Sequence, residues 1–479
     1  MNRKLLYSLK WSTFGELVSK VVPPLFFIVT ARLLTPEDFG IVATSTMIVA
    51  FASIFWEAGL SKALIQNQEC DIQKLSNIVF YTNLVLSLFA YFFLFLLSDS
   101  IASFFHDGRV SEVLKVSGLS LIIGALMSVQ TSILQKNFEF KILFYSRFVG
   151  AIIPGMVAVA MVFMGYGYWS LIWGTIASLI FQVLILWYLS SWRPTKEYDF
   201  SVAIRMFHFS KWVLISALLS WFFIWGDIFV LGFFFTPHEL GLYRTGNYFV
   251  GAVIGLVTVP VVPVMYSYFS TIQNDKEKVK EVLLFSSKIV SFFVLPIGVG
   301  LYIVQNPITD FIFGDKWIGV ASVIGYLGLM HSISWIVGLN NSAYAAVGRP
   351  DIETKILILN LIIYLIVYLI AAQISFIFFI FSRLILAVMA IVIHIYASNK
   401  ILNIGILETF GNIKYIILIM AFFMSFNYFF IDYYFSLDFL LMTFFIPIFM
   451  FLYLILMFVC DKEIFYKLLN ILKEKKIND

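Results

Sequence analysis

The residues of this sequence with the most chemical potential are ionisable side chains inside long apolar stretches. Four of them lie well within such stretches: Glu16, Lys20, Asp227 and Arg383. A charge inside a bilayer costs about 2.5–3.5 kcal/mol on insertion scales, so each of these groups must face a partner or water. Function is therefore to be sought first at these four positions.

The chain that carries these charges is otherwise strongly apolar. Of its 479 residues, 61 % are hydrophobic and only 13 % are charged, whereas about a quarter are charged in soluble domains. Apolar runs of about 20 residues, enough to cross the roughly 30 Å core of a bilayer as a helix, recur almost from end to end. We expect an all-α polytopic membrane protein with about 14 transmembrane helices, at 12–34, 40–61, 77–97, 113–134, 143–164, 168–190, 211–235, 241–268, 284–304, 318–346, 354–372, 375–397, 413–431 and 437–459.

Two stretches of the sequence share one layout. Lys10 and Trp11 correspond to Lys211 and Trp212, an offset of 201 residues that holds without a gap. An apolar run follows each pair, and a Thr-Pro turn then begins the next run, LLTPEDFGIV in the first copy and FFTPHELGLY in the second. Because the offset covers six helices, an even number, we expect two parallel six-helix repeats. The expected domains are an N-terminal six-helix lobe, a cytoplasmic linker, a C-terminal six-helix lobe, and two additional transmembrane helices with a basic cytoplasmic tail, at 1–190, 191–210, 211–400 and 401–479.

Lys and Arg residues are distributed unevenly between the two sets of loops. If the amino terminus is cytoplasmic, most of the 32 Lys and Arg residues fall in cytoplasmic segments. The outer segments then contain only Arg32, Arg109, Lys115, Arg244 and Lys316. The positive-inside rule therefore predicts that both termini are cytoplasmic and that the number of spans is even.

Glu16 and Asp227, the two carboxylates among these charges, each have two possible roles. Glu16 and Lys20 are four residues apart, so they share one face of the first helix. They either form a structural ion pair facing a wet groove or act separately, Lys20 as an anion contact and Glu16 as a proton or cation site. Asp227 has no counter-charge on its own helix. It is either a coupling site for a proton or sodium ion or a hydrogen-bonding partner of a neighbouring helix.

The arginines also have two interpretations each. Arg383 is a permanent cation, which either pairs with a carboxylate such as Asp227 or lines a path for anions. Arg147 lies close to the inner edge of its span, where its long side chain can instead snorkel to the interface.

Several kinds of activity are disfavoured. The loops are too short for a folded soluble domain, no GxxxxGK[ST] motif occurs, and no acid cluster indicates a nucleotide-sugar transferase. His331 and His394 are single histidines in apolar helices, and no set of His, Cys, Asp and Glu has the spacing of a metal site. We therefore expect a transporter rather than an enzyme, with no metal site, no nucleic-acid partner, and no cofactor beyond a coupling ion, H⁺ or Na⁺.

A series of short motifs occurs in a fixed order over roughly the first 400 residues. They are LLTPEDFGIV after the first helix, EAGLSKALIQ at the end of the second, LQKNFEFK before the fifth, GYGYWSL before the sixth, Asp227 and ELGLYRTGNY in and after the seventh, and VGRPDIETK before the eleventh. In these motifs the chain resembles the polysaccharide-unit flippases of bacteria, the Wzx-type branch of the multidrug/oligosaccharidyl-lipid/polysaccharide exporter superfamily.

The resemblance implies two six-helix lobes that face each other as a V and open alternately to each side of the bacterial cytoplasmic membrane. The implied substrate is an undecaprenyl-pyrophosphate-linked oligosaccharide that becomes O-antigen, capsule or another exopolysaccharide. Its pyrophosphate needs fixed donors, for which Lys20, Arg147 and Arg383 are the candidates. The alternative is a weakly charged glycan cavity lined by Asn, Gln, Ser, Tyr and Trp. Candidates for contacting the glycan are polar side chains whose alternative role is hydrogen bonding between helices: Gln130, Asn247, Tyr248, Asn340 and Asn341.

Ion coupling is expected at Asp227 or Glu16, whose occupancy by H⁺ or Na⁺ changes as the cavity switches sides. The expected partners are membrane lipids, a polysaccharide polymerase and a chain-length regulator, with the flippase itself a monomer. Two alternatives stay open. One is a cation-coupled small-molecule or drug exporter of the same superfamily, and the other is a membrane glycan polymerase or ligase.

Overall fold

A computed structural model of the chain describes residues 3–57, 59–66, 71–431 and 439–466. Within these ranges the protein is almost entirely helical and contains no β-strand. Twelve described helical segments are long and apolar enough to cross a membrane, of which Arg109–Lys136 and Pro237–Thr271 each consist of two successive helices. Two shorter apolar helices occur at Val320–Ser334 and Ile446–Cys460. This confirms the predicted all-α, multi-pass membrane fold. The end of the predicted basic tail, 467–479, lies outside the described residues.

Contacts within the chain define two compact units, Met1–Arg244 and Thr245–Asp479. This division follows contacts, whereas the predicted lobes follow the sequence repeat, and the lobe bounds therefore stay a prediction. The first unit contains the following helices and the start of α10: α1 (Arg3–Leu33), α2 (Pro36–Glu57), α3 (Leu60–Gln66), α4 (Ile72–Phe104), α5 (Arg109–Ser117), α6 (Leu119–Lys136), α7 (Phe140–Phe163), α8 (Trp169–Leu189) and α9 (Phe200–Phe234). The second unit contains the rest of α10 (Pro237–Thr258) and the following helices: α11 (Val261–Thr271), α12 (Lys276–Ile303), α13 (Gln305–Ile308), α14 (Val320–Ser334), α15 (Asn340–Ala346), α16 (Pro350–Ala372), α17 (Phe376–Leu402), α18 (Ile406–Phe426) and α19 (Phe439–Cys460).

The sequence repeat is visible in the local structure of the two Thr-Pro turns. Both the backbone N–H and the hydroxyl of Thr35 donate to Asp38 Oδ2 at 2.8 Å. In the second copy Thr236 donates in the same way to Glu239 Oε2 at 2.9 Å. Each acid thus caps the start of its helix, α2 or α10, and the intervening proline occupies a first helical position where no N–H is needed. The shared turn sequence therefore produces the same turn twice.

The tenth predicted span, 318–346, is not one continuous helix. Helix α14 ends at Ser334 and α15 begins at Asn340, with a turn between them. In this turn the backbone of Gly338 packs so closely on the Trp335 ring that a Cβ atom would lie 2.4 Å from its Cε3 atom. The prediction of a single span was wrong because apolar composition alone does not distinguish an interrupted helix from a continuous one.

Glycines bring the helices of the first unit close together. A Cβ atom at Gly155 of α7 would lie 2.0 Å from Cγ of Phe26 in α1, and one at Gly174 of α8 would lie 2.6 Å from the carbonyl oxygen of Pro154 in α7. Small residues commonly allow such approach between transmembrane helices. Helix α7 is therefore held tightly between α1 and α8, which fixes the position of the helix that carries Glu16.

Candidate functional site

Asp227 is a buried residue of α9, and each of its carboxyl oxygens accepts a hydrogen bond. Its side chain is 5 % exposed. Oδ2 accepts a hydrogen bond from the Tyr243 hydroxyl at 2.7 Å, and Oδ1 accepts one from the backbone N–H of Ile228 at 2.8 Å. Tyr243 belongs to α10, which follows α9 after a two-residue turn, so the short turn itself brings the two groups together. This geometry fits the hydrogen-bonding alternative, and the coupling role of Asp227 stays a prediction.

Glu16 forms its ion pair with Arg147 and not with Lys20. Arg147 Nη1 lies 2.7 Å from Glu16 Oε1, and both side chains are partly exposed. The pair joins α1 to α7, and it is possible because the Arg147 side chain passes over Gly15, whose hypothetical Cβ atom would be 3.4 Å from Arg147 Cδ. The alternative of a Glu16–Lys20 pair within α1 is therefore corrected by the packing of two helices that the spacing on one helix does not reveal.

Lys20 lies four residues after Glu16 on α1 and is a second cation of this region. Its side chain is exposed, and it forms no ion pair with any residue in the described ranges. It therefore keeps its three N–H donors for an external anion. Of the two predicted pyrophosphate contacts in the first unit, Lys20 and Arg147, Lys20 has the geometry that better fits binding of an anion.

Arg383 of α17 has an aromatic partner. Its Nη1 donates to the Tyr368 hydroxyl of α16, and its guanidinium carbon lies 5.4 Å from the centre of the Tyr368 ring. A cation held against an aromatic face retains its full charge. Pairing with a carboxylate and lining of an anion path both stay predictions for Arg383.

Gln130 is fully buried in α6. With its amide oriented to satisfy both atoms, the nitrogen donates to the Leu126 carbonyl oxygen at 2.9 Å and the oxygen accepts from Trp187 Nε1 at 3.1 Å. Trp187 belongs to α8, so the amide connects two helices. This geometry fits the helix-to-helix alternative for Gln130 better than contact with a glycan.

Two asparagines of the second unit also bond to neighbouring helices. Asn247 Oδ1 lies 3.0 Å from His331 Nε2. Asn340 is buried and donates to Ser398 Oγ at 2.8 Å, while the Tyr344 hydroxyl lies 2.7 Å from the same Ser398 oxygen. Asn247 is only half-buried, so it is the better placed of the two for an external ligand.

The two Thr-Pro turns contact each other reciprocally. A Cβ atom at Gly40 would lie 1.9 Å from the Pro237 carbonyl oxygen, and one at Gly241 would lie 1.7 Å from the Pro36 carbonyl oxygen. Gly40 and Gly241 are equivalent positions of the repeat, so the contact has the symmetry of the repeat. Glycine is required at both positions because any side chain would enter the opposite backbone.

A cavity of about 300 Å³ lies among α2, α5, α6 and α8 of the first unit. Trp56 and Glu57, at the end of α2, line it together with hydroxyl-bearing and apolar side chains of the four helices. None of the site residues predicted from the sequence lines this cavity. Its serines and threonines are dispersed over four helices, and such residues are so common in transmembrane helices that no local pattern indicated a site.

The segment between α8 and α9 is tied to the start of α4. Lys74 Nζ lies 2.9 Å from Asp199 Oδ2, and Gln73 donates to the Arg193 carbonyl oxygen at 2.9 Å. Hydrogen bonds from Lys74 and then from Ser201 hold the pKa of the Asp199 carboxyl well below its usual range. Asp199 also caps α9, since its side chain accepts from the backbone N–H of Ser201 at 3.0 Å.

A family model described as polysaccharide biosynthesis protein matches residues 29–322, more than half of the chain. The chain belongs to this family of polysaccharide biosynthesis proteins. The predicted resemblance to polysaccharide-unit flippases is thereby confirmed at the level of the family.

Three members or relatives of this family illustrate the similarity. The chain is 24 % identical over 324 residues to the succinoglycan biosynthesis transport protein ExoT of Rhizobium meliloti, a match that covers 68 % of this chain and 64 % of ExoT, slightly less than two thirds of that protein. It is 21 % identical to the teichuronic acid biosynthesis protein TuaB of Bacillus subtilis, over 74 % of this chain and 73 % of TuaB. It is 22 % identical to the lipopolysaccharide biosynthesis protein WzxC of Escherichia coli, over 78 % of this chain and 76 % of WzxC.

Two solved structures have the same fold as this chain. The lipid II flippase MurJ in an inward closed conformation matches with a TM-score of 0.74 and 16 % identity, over 96 % of this chain and 99 % of that chain. An inward-facing multidrug resistance MATE family transporter matches with a TM-score of 0.62 and 12 % identity, over 80 % of this chain and 98 % of that chain. The protein therefore has the fold of MurJ and MATE transporters.

Proposed function

We propose that this protein moves undecaprenyl-pyrophosphate-linked oligosaccharide units from the cytoplasmic to the outer leaflet of the bacterial cytoplasmic membrane. The family match over residues 29–322 is the observation that carries this proposal. It is supported by the names of relatives, which include a biosynthesis transport protein and a lipopolysaccharide biosynthesis protein. The protein acts as a transporter by alternating access and supplies substrate for polysaccharide assembly.

The pyrophosphate of the substrate is held by cations inside the membrane. Lys20 supplies exposed ammonium donors, and Arg147 lies on the adjacent helix α7, where its pair with Glu16 keeps it in place. Arg383 of the second unit is a separate candidate, a permanent positive charge against Tyr368. Charge-assisted hydrogen bonds of this kind are about twice as strong as neutral ones, which suits recognition of a phosphate anion.

Coupling to a proton or sodium gradient takes place at Asp227 or Glu16. Asp227 is supported by its burial and by the Tyr243 hydroxyl, which donates to its carboxyl group. Protonation would change that hydrogen bond and so the packing of α9 on α10, giving a local change for the transport cycle. The protein works as a monomer with both termini cytoplasmic, and a polysaccharide polymerase and a chain-length regulator act on the product.

The proposal is tested by leaflet-resolved labelling of undecaprenyl-linked glycan in cells with and without the protein. We expect glycan to accumulate on the cytoplasmic face in its absence and to reach the outer face again when the wild-type gene is restored. Normal delivery to the outer leaflet in cells that lack the protein would refute the proposal.

A second candidate function is cation-coupled export of small molecules. It is favoured by the fold shared with the MATE transporter. In that case, deletion would cause sensitivity to drugs while glycan delivery stayed normal. Chain lengthening of the glycan by the purified protein would instead indicate a polymerase or ligase.

A further inference from the structure

The cavity among α2, α5, α6 and α8 contains polar groups whose hydrogen-bonding capacity is unused. Trp56 is only 5 % exposed, and its Nε1 atom is buried with no hydrogen-bond partner among the described residues. Ser117 Oγ is buried in the same way, again with no partner in the described part of the chain. Both residues line the cavity. Because buried polar groups are nearly always paired, two orphaned groups on residues that line one cavity point to a ligand that reaches them there.

The remaining polar lining is rich in acceptors. Hydroxyl groups on the wall donate their protons to backbone carbonyl oxygens three or four residues earlier in the chain at 2.6 to 3.0 Å, so their oxygen lone pairs are left to accept. These residues are Ser45, Ser53, Ser120 and Thr175. Glu57 adds a carboxylate, an acceptor when ionised. The residues that line the cavity therefore carry two unused donors and several acceptors.

The apolar part of the lining suits the carbon face of a sugar ring. The Trp56 ring belongs to the hydrophobic core of this unit, and Val49, Leu121 and Ile172 also line the cavity. Gly124 holds the indole in place, since its hypothetical Cβ atom would lie 3.0 Å from Trp56 Cζ2. An amphipathic aromatic ring beside polar groups recognises ligands that have both an apolar face and hydroxyls. The volume of about 300 Å³ is at the lower limit for small-molecule sites, which suits a sugar unit rather than a whole oligosaccharide.

We propose that this cavity is a subsite for one sugar unit of the glycan. Trp56 Nε1 and the Ser117 hydroxyl donate to sugar oxygens, and the Glu57 carboxylate accepts from a sugar hydroxyl. A cation site is a poorer fit, because an indole N–H is a donor only and contributes nothing to a bound cation. The inference rests on the proposed function, since it gives that function a place at which part of the glycan is recognised.

The test uses the purified full-length protein in detergent, labelled with 5-fluorotryptophan and observed by ¹⁹F NMR. The Trp56 signal is assigned with Trp56→Phe, and the probes are the methyl glycosides of glucose, galactose and N-acetylglucosamine. We expect at least one glycoside to shift the Trp56 signal saturably, and Ser117→Ala and Glu57→Gln to weaken that binding by about three- to thirtyfold. The matched control is Trp173→Phe on α8, an exposed tryptophan that does not line the cavity, and it should bind as the wild type does.

Two results would overturn the inference: no shift of the Trp56 signal with any of the three glycosides, or a shift caused by sodium chloride alone. Its failure is distinguishable from failure of the proposed function. If cells show leaflet transfer but the purified protein shows no sugar-dependent shift, the cavity is not a sugar subsite while the flippase function stands. If the shift is seen but cells without the protein deliver glycan normally, the cavity binds sugar and the flippase function falls.

Discussion

Replacing Gly40 by alanine tests the reciprocal contact between the two Thr-Pro turns. The new Cβ atom would lie 1.9 Å from the Pro237 carbonyl oxygen, whereas real Cβ atoms keep at least 3.0 Å from such an atom. The two backbones must therefore part by about 1.1 Å at this point. Overpacking of a tight contact costs about 1–3 kcal/mol, so we expect the equilibrium constant for unfolding to rise by about 5- to 150-fold.

The same separation would provide most of the space for a methyl group at Gly241, whose Cβ atom would lie 1.7 Å from the Pro36 carbonyl oxygen and needs about 1.3 Å. The double variant Gly40→Ala with Gly241→Ala should consequently cost less than the sum of the single variants. The assay is thermal unfolding of the purified protein, with both single variants and the double variant compared in one detergent. Gly251→Ala is the control, because its Cβ atom on α10 would meet nothing within 4 Å. The reasoning is refuted if Gly40→Ala is as harmless as Gly251→Ala, or if the two substitutions are strictly additive.

Three further predictions concern the charged residues. Lys20→Ala should leave the melting temperature unchanged and reduce transport, because Lys20 is exposed and forms no ion pair with a described residue. Arg147→Ala should lower both the melting temperature and transport, because it leaves Glu16 without the cation it pairs with. Equal losses of melting temperature in the two variants would contradict this. Asp199→Asn should lower the melting temperature at neutral pH. The folded-state pKa of Asp199 lies below its unfolded value of about 3.9. Its stabilisation is therefore fully present above the unfolded pKa and is lost as the pH falls from there through the folded-state pKa; a difference that persists unchanged in acid would contradict the assignment. Asp227→Asn should fold and lose turnover, since the amide keeps an oxygen that can accept from Tyr243 but does not bind a proton or sodium ion in the same way; near-normal turnover in this variant would remove Asp227 from the coupling role.

Much of the fold could be predicted because bilayer thickness and hydrophobicity determine it. Runs of about 20 apolar residues indicated the spans. The repeated Thr-Pro-x-acid turns indicated equivalent helix starts, and the structure shows them in the hydrogen bonds from Thr35 to Asp38 and from Thr236 to Glu239. The interruption after Ser334 was missed, because no proline or charged residue marks the Gly338 turn within 318–346.

The candidate site was less accessible to sequence reasoning. Intramembrane charge located Glu16 and Asp227, but the partner of each depends on which helices pack together. Arg147 reaches Glu16 from α7, and its distance of 131 residues along the chain gave no indication of this. The cavity at Trp56 was missed for the same reason, since its walls come from helices that are separated in the sequence.

The most direct test of the central claim is transport of a fluorescent undecaprenyl-pyrophosphate-linked oligosaccharide in proteoliposomes that contain only this protein. The fraction of glycan on each leaflet is measured with a membrane-impermeant lectin, with protein-free liposomes as the control. We predict that the wild-type protein moves the lipid between leaflets at a rate well above that of the protein-free control, and that Lys20→Ala slows the transfer. Transfer no faster than in protein-free liposomes, with the protein folded and correctly inserted, would contradict the claim that this chain is a lipid-linked oligosaccharide flippase.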